Sequence, residues 1–267
     1  MFQKIENLWR IEYKVVTKEP FLTQAVSEEI KRIIEDKIDK EIPKTSLDAV
    51  PLVIGGHAVI TGNAVKGLFR HKISAKLTEA GHKVCVQEVK IEKNENPPEG
   101  REKRCEPKNP CFVCKWFGTM SRQGARQGAL YFSFLKSVKS IDDGILLEEP
   151  VPMVALRDDT KAVSRHAFLL LAPVGENVEF KGWITGENLE PEILGAIAEI
   201  EAESKEDFLK FGAFKTRGFG TVEMEITRVC EFQAAPFKLR KAYEGEGLRE
   251  FLENVREKWN EFLVRPS

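Results

Sequence analysis

The chain has 267 residues, 42% of them hydrophobic, and its 31% charged residues nearly cancel to a net charge of −1. Such a length and apolar content allow a sizeable globular core, as one large domain carrying insertions. No apolar run is long enough to span a bilayer, the opening Met-Phe-Gln-Lys-Ile-Glu lacks the marks of a secretory leader, and the charge balance excludes a uniformly basic nucleic-acid binder. A cytoplasmic protein with no membrane partner is the expectation.

Residues 8–16 alternate as a half-buried strand does. A helix follows at about 25–40, with Val26, Ile30, Ile33, Ile34 and Ile38 on one stripe and Ser27 as its cap. Residues 51–60 are apolar and broken by Gly55-Gly56. Thr61-Gly62-Asn63 then opens a second helix with Val65, Leu68, Phe69, Ile73 and Leu77 at helical spacing, stopped at Gly81. Lys66 and Arg70, four apart near its start, suit an anion.

Residues 82–117 carry no sustained period and read as an inserted loop. Strands are expected at 129–136, 151–157, 166–173 and 177–185. Pro191 opens a helix with Ile193, Leu194, Ile197 and Ile200 inward and its glutamates outward. A strand at about 219–230 and an amphipathic helix at 246–263 complete an α+β chain. The apolar stripe of that last helix reads as core packing.

Charge is segregated along the chain. Residues 61–76 hold Lys66, Arg70, Lys72 and Lys76 with no acid, and residues 115–139 hold Lys115, Arg122, Arg126, Lys136 and Lys139 with no acid. Residues 187–207 carry eight acids against Lys205. One basic face and one acidic face are expected.

Cys85, Cys105, Cys111 and Cys114 fall in the order C-x19-C-x5-C-x2-C. A Cys-x-x-Cys unit can put two thiolates on one tetrahedral metal, and the other two can close the shell. His82 is an alternative to Cys85 as the fourth ligand. With no secretory leader, zinc is preferred over disulfides, and the metal would order a polar insertion too poor in apolar residues to fold alone. Cys230, alone in a strand, reads as a small buried hydrophobe.

The most informative stretch is 209–222, Leu-Lys-Phe-Gly-Ala-Phe-Lys-Thr-Arg-Gly-Phe-Gly-Thr-Val. Its glycines permit positive φ or close backbone approach. Lys215 and Arg217 supply charge for phosphate, and Phe214 and Phe219 offer flat surfaces for a base. The order of glycines does not match a P-loop, which argues against a small-molecule phosphotransferase.

Three segments together resemble the CRISPR-associated RAMP superfamily. Ile60-Thr61-Gly62-Asn63-Ala64-Val65-Lys66-Gly67-Leu68-Phe69-Arg70 is similar to its I-x-G-x-x-[LIV]-K-G-x-[LF]-R segment. Cys111-Phe112-Val113-Cys114-Lys115-Trp116-Phe117-Gly118 is similar to its C-x-x-C-x-x-F-G element, and the 209–222 loop resembles its glycine-rich signature. The order matches, and the segments bracket roughly residues 55–225.

The resemblance implies a modified ferredoxin-like, RNA-recognition fold, β-α-β-β-α-β. It would be a single domain over 1–267 with a helical insertion at about 25–45, a zinc-bound insertion at about 82–117 and inserted hairpins. Most similar are the backbone subunits that stack into a filament of copies along the guide RNA (crRNA) in type III effector complexes, beside other subunits. There a loop aspartate cleaves target RNA with Mg²⁺ or Mn²⁺. The matching residue here is Asp48, although the glycine pair that usually precedes it is absent.

The implied RNA contacts are Lys66, Arg70, Arg122, Arg126, Lys215, Arg217, Gly218, Phe219 and Gly220, with Arg157 and Lys161 from a polar loop at 154–165 that corresponds to a family hairpin. Two alternatives stay open: a non-catalytic structural subunit of the same complex, and a metal-independent guide-processing nuclease using His57 as general acid or base.

Overall fold

The computed structural model describes residues 4–25, 28–35, 47–85, 105–121, 124–156 and 163–265. Strand β1 (Asn7–Thr17) organises the fold. Its alternation sends Trp9, Ile11, Tyr13 and Val15 to one face and Leu8, Arg10, Glu12 and Lys14 to the other. Two-residue β2 (Gln24–Ala25) pairs with β3 (Val50–Pro51), flanking helix α1 (Glu28–Glu35). The helix expected at 25–40 is thus present over its middle; Val26, Ser27 and Ile38 lie outside the described residues. Gly55-Gly56 turns the hairpin β4 (Val53–Ile54) and β5 (His57–Ile60).

Helix α2 (Gly62–Glu79) follows, capped by Thr61, whose hydroxyl accepts the Ala64 N–H at 3.3 Å. Within the segment read as loop, residues 112–117 instead form α3 (Phe112–Phe117), because Val113, Trp116 and Phe117 bury themselves in the core. Next come the hairpin β6 (Thr119–Ser121) and β7 (Gly124–Arg126), then β8 (Leu130–Phe132) and β9 (Leu135–Ser137), two strands where one was expected. The hairpin β10 (Val151–Leu156) and β11 (Val163–Leu171) precedes β12 (Glu179–Glu187), α4 (Pro191–Lys205), β13 (Val222–Gln233), the unforeseen β14 (Lys238–Tyr243) and α5 (Gly245–Leu263).

The result is a mixed α+β fold whose main sheet runs β14-β13-β1-β12-β9-β5-β4, with β8 also on β12 and all of its pairings antiparallel. One core joins the inward residues of β1 to Val65, Phe69 and Ile73 of α2, Ile193 and Ile197 of α4, and Val255 and Trp259 of α5. Full burial of each such side chain is worth about 1.5–3 kcal/mol. Cys230 is buried, as expected.

The helical charges do not sort into separate faces. Lys72 Nζ meets Glu203 at 2.7 Å and the Phe208 carbonyl at 2.6 Å, Lys76 Nζ meets Glu203 at 2.5 Å, and Arg256 Nε meets Glu199 at 3.1 Å. The acids of α4 therefore lie against bases of α2 and α5 in a half-buried ladder.

Register sets the geometry that matters for function. Val16 lies opposite Glu179 and Thr17 opposite Val222, so β1 ends where β12 and β13 begin. The chain segments after β1, before β12 and before β13 meet at that one end of the sheet.

Candidate functional site

The segment before β13 is the glycine loop. Leu209, Phe211 and Phe219 are buried, and a short 3-10 turn at Lys215–Arg217 projects between Phe214 and Gly218, both left-handed. Gly212 and Gly220 also have positive φ. A Cβ on Gly212 would sit 2.3 Å from the Leu22 carbonyl oxygen, and one on Gly220 would sit 2.0 Å from that of Phe211. These two glycines serve close packing of backbone on backbone.

Phe219 was expected to offer its ring to a base. It is instead 4% exposed, packed with Leu22, Ala49 and Leu171, because its backbone is drawn inward by the Gly220 contact. It anchors the loop, while Phe214 rests half-buried against it at 5.9 Å. Lys215 and Arg217 are exposed, and neither side chain has a hydrogen-bond or ion partner among the described residues.

A clamp that sequence reading missed holds the loop's base. The Glu19 carboxylate accepts the Thr221 hydroxyl and, at 3.1 Å, the Thr221 N–H, and pairs with Lys210 at 3.3 Å. Hydrogen bonding from Thr221, aided by Lys210 and opposed by burial, holds the Glu19 carboxyl below its usual range. No local spacing signals a contact across some two hundred residues.

Asp48 lies at the same end. Its neighbour Ala49 shares the apolar cluster of Phe219, and its main chain pairs with β11: Asp48 N–H donates to the Leu170 carbonyl at 2.8 Å. The Leu170 N–H in turn donates to Asp48 Oδ2 at 2.7 Å. The side chain is exposed on the rim. Asp48 belongs to no cluster of three or more metal-ligating groups among the described residues. His57, by contrast, has Nδ1 on the Ser137 carbonyl at 2.8 Å.

The cysteines form a second site. The four sulfurs of Cys85, Cys105, Cys111 and Cys114 lie within 4.8 Å of one another. Cys111 and Cys85 are 3.8 Å apart, the ~3.8 Å edge of a tetrahedral zinc–sulfur shell, while Cys85 and Cys114, at 3.0 Å, stand closer than that edge. The Cys111 N–H donates to Cys105 Sγ at 3.2 Å. A hydrogen bond from Cys114 pulls the Cys111 thiol pKa down and pushes that of Cys114 up. A cluster of four thiols can hold an ion such as zinc. His82, the other candidate, is engaged elsewhere: its Nε2 lies 3.1 Å from the Leu263 carbonyl and its ring stacks on Phe262. Cys85, and not His82, is the fourth member of the cluster.

Beside this cluster opens a cleft of about 650 Å³ lined by Lys66, Arg70, His71 and Ser74 of α2, with Cys85 in its wall. Partial burial, and then the Arg70 charge, lower the Lys66 pKa. Lys66 has no anionic partner among the described residues. Arg70 is occupied, with Nη1 donating to the Gly118 carbonyl at 2.9 Å and Nη2 to Cys114 Sγ at 3.7 Å. Arg126 donates to the Pro107 carbonyl at 3.2 Å. Arg122, Arg157 and Lys161 lie outside the described residues.

Among the described residues no helix is long and apolar enough to cross a membrane. Comparison with curated proteins gives no match. The family model of the RAMP superfamily matches residues 14–223, from β1 to the start of β13, and so includes Asp48, α2, the cysteine cluster and the whole glycine loop. The chain belongs to the RAMP superfamily of CRISPR-associated proteins, whose members work with RNA and other CRISPR subunits.

Proposed function

We propose that this chain is a guide-RNA-binding subunit of a type III CRISPR effector complex, and that Asp48 takes part in metal-dependent cleavage of target RNA. The observation that carries the reading is the packing of Ala49, next to Asp48, with Phe219 of the loop that carries the unpartnered Lys215 and Arg217, in one cluster with Leu22 and Leu171. The fold supports it. Strands β1, β8–β9, β12 and β13 with helices α2 and α4 follow the β-α-β-β-α-β order, and the sheet order β13-β1-β12-β9 is that of a ferredoxin-like core.

Lys215 and Arg217 neutralise phosphates, Phe214 offers a half-buried ring edge, and Lys66 adds a second cationic contact from its cleft. Such contacts track backbone and read little sequence. The Asp48 carboxylate accepts from the Leu170 N–H on an exposed residue; a magnesium or manganese ion held there by this carboxylate, water and the RNA phosphate would supply charge neutralisation at the scissile group. Homo-oligomeric stacking along the guide is part of the same reading.

The test is RNA cleavage by the reconstituted complex, comparing wild type with Asp48→Asn, which keeps an acceptor for the Leu170 N–H, with and without chelator. Chelator-sensitive cutting that Asp48→Asn abolishes is the expected result. Unchanged cutting removes this subunit from the chemistry and leaves the second reading, a non-catalytic structural subunit, which the Asp48–Leu170 hydrogen bond favours by giving the carboxylate a structural task. A guide-processing role for His57 would fall to its Nε2, since Nδ1 is held by the Ser137 carbonyl.

A further inference from the structure

We infer that Arg70 is a positioning residue of the cysteine metal centre: its guanidinium donates to a thiolate ligand and to the turn that carries it, and so sets metal affinity. The inference rests on the reading of the four cysteines as a zinc site. It assigns to the metal a residue that the sequence pattern had offered to RNA.

The geometry is a two-pronged clamp. Arg70 sits in α2, and its two terminal nitrogens reach Gly118 O at 2.9 Å and Cys114 Sγ at 3.7 Å. Cys114 lies within α3, is fully buried, and Gly118 ends that helix. One planar fork therefore ties both the ligand atom and the end of its helix to α2, which a single ammonium cannot match in direction. The three-residue reach of Cys111–Cys114 fixes where the sulfurs start. Arg70 fixes where that unit docks.

Electrostatics supply the rest. Four thiolates around a dication sum to a charge of about −2, and a cation hydrogen-bonded to one sulfur offsets part of it. The Cys111 N–H on Cys105 does similar work as a dipole. Both terminal nitrogens of Arg70 are thus engaged by the centre, on the Gly118 carbonyl and Cys114 Sγ. Lys66, one turn earlier and lining the same cleft, makes no such contact with the centre.

The test uses the full-length chain loaded with zinc and then with cobalt. Wild type, Arg70→Met, Arg70→Lys and the control Lys66→Met are titrated with a chromophoric chelator. Loss of an outer-sphere partner typically costs ten- to a hundredfold in metal affinity, so Arg70→Met should weaken zinc binding by about tenfold or more, Arg70→Lys by less, and Lys66→Met by under about twofold. In the cobalt forms the thiolate-to-metal charge-transfer band should move to lower energy in Arg70→Met and stay in place in Lys66→Met, because removing a hydrogen bond destabilises the sulfur lone pairs. Mere packing of α3 on α2 would not produce that shift.

Arg70→Met with wild-type zinc affinity and an unmoved band overturns the inference. So does zinc-saturated Arg70→Met that has lost RNA affinity, which would return the residue to RNA contact. A wild-type chain that takes up no metal fails differently, since it removes the zinc reading and this inference together.

Discussion

The glycine-loop end of the sheet and the cysteine end both carry basic residues, yet they use them in opposite ways. Around the cysteines Arg70 and Arg126 each hold a carbonyl or a sulfur of the same chain, and further along α2 Lys72 and Lys76 hold carboxylates of α4, which leaves Lys66 as the cation of that helix face without an anionic partner among the described residues. At the loop end Lys215 and Arg217 stand on a raised turn with no such partner among the described residues. Basic residues with internal partners shape the fold, and those without them are available to a polyanion. Counting lysines and arginines along the sequence cannot separate these roles, because the partner that decides between them lies far away in the chain.

The widest separation between the two ends should come from the metal. Cys114→Ser, or chelation of the wild-type protein, is expected to cost several kcal/mol and to lower Tm by roughly 10 °C or more, because a metal on the four sulfurs would tie Cys85, Cys105 and α3 to one point. Thermal unfolding with and without chelator checks it. If Tm does not move, the cysteine end is held by packing alone.

Phe219→Ala comes next. Removing a ring buried with Leu22, Ala49 and Leu171 should cost about 3–5 kcal/mol by denaturant unfolding. Because the same cluster supports Asp48, target cleavage should fall with it under conditions where the protein remains folded. Loss of stability with full cleavage would uncouple the loop from Asp48.

Lys215→Ala and Arg217→Ala should each leave stability within about 0.5 kcal/mol of wild type while lowering RNA affinity several-fold, with the slope of log affinity against log salt reduced by about one for each phosphate no longer neutralised. Lys72→Ala should do the reverse, weakening the fold and sparing RNA. Binding measured at several salt concentrations, set beside melting curves for all three variants, would break the comparison if the roles exchanged.

The helical ladder is the part that answers to pH. Burial alone would raise the Glu203 pKa, but hydrogen bonds and charge from Lys72 and Lys76 outweigh it and hold the group below its ordinary 4.5. A carboxylate depressed in the folded state stabilises above 4.5, and that contribution is lost as pH falls through the folded value. Lys76, raised above its ordinary 10.5 despite burial, contributes below 10.5 and loses its share as pH climbs through its folded value. Glu203→Gln should therefore cost about 1–2 kcal/mol near neutral pH and nearly nothing in strong acid, as measured by urea unfolding across pH.

Much of the architecture was legible from periodicity. Trp9 to Val15 alternate, Val65 to Leu77 recur at helical spacing, and Thr61 and Pro191 mark helix starts, all of which the fold repeats. Strand β14 escaped notice because its residues are almost wholly exposed, so no apolar alternation marks it. Helix α3 escaped because its six residues sit among a run of loop-forming sequence. Within the site, the cysteine spacing announced itself and the choice of Cys85 over His82 did not, since it depends on where α5 places Leu263 and Phe262. The inward turn of Phe219 was equally hidden, as it follows from a backbone contact between Gly220 and Phe211.

The cysteine cluster also has a topological consequence. Cys85 and Cys105 bracket nineteen residues, and their sulfurs converge on one point. A metal there would fasten both ends of that segment to one point. Closing a chain twice as long would add only about 0.6 kcal/mol of entropy. With a metal in place, the clasp would hold the end of α2 against α3 through Cys85, Cys111 and Cys114 directly, by a link that does not run along the intervening chain.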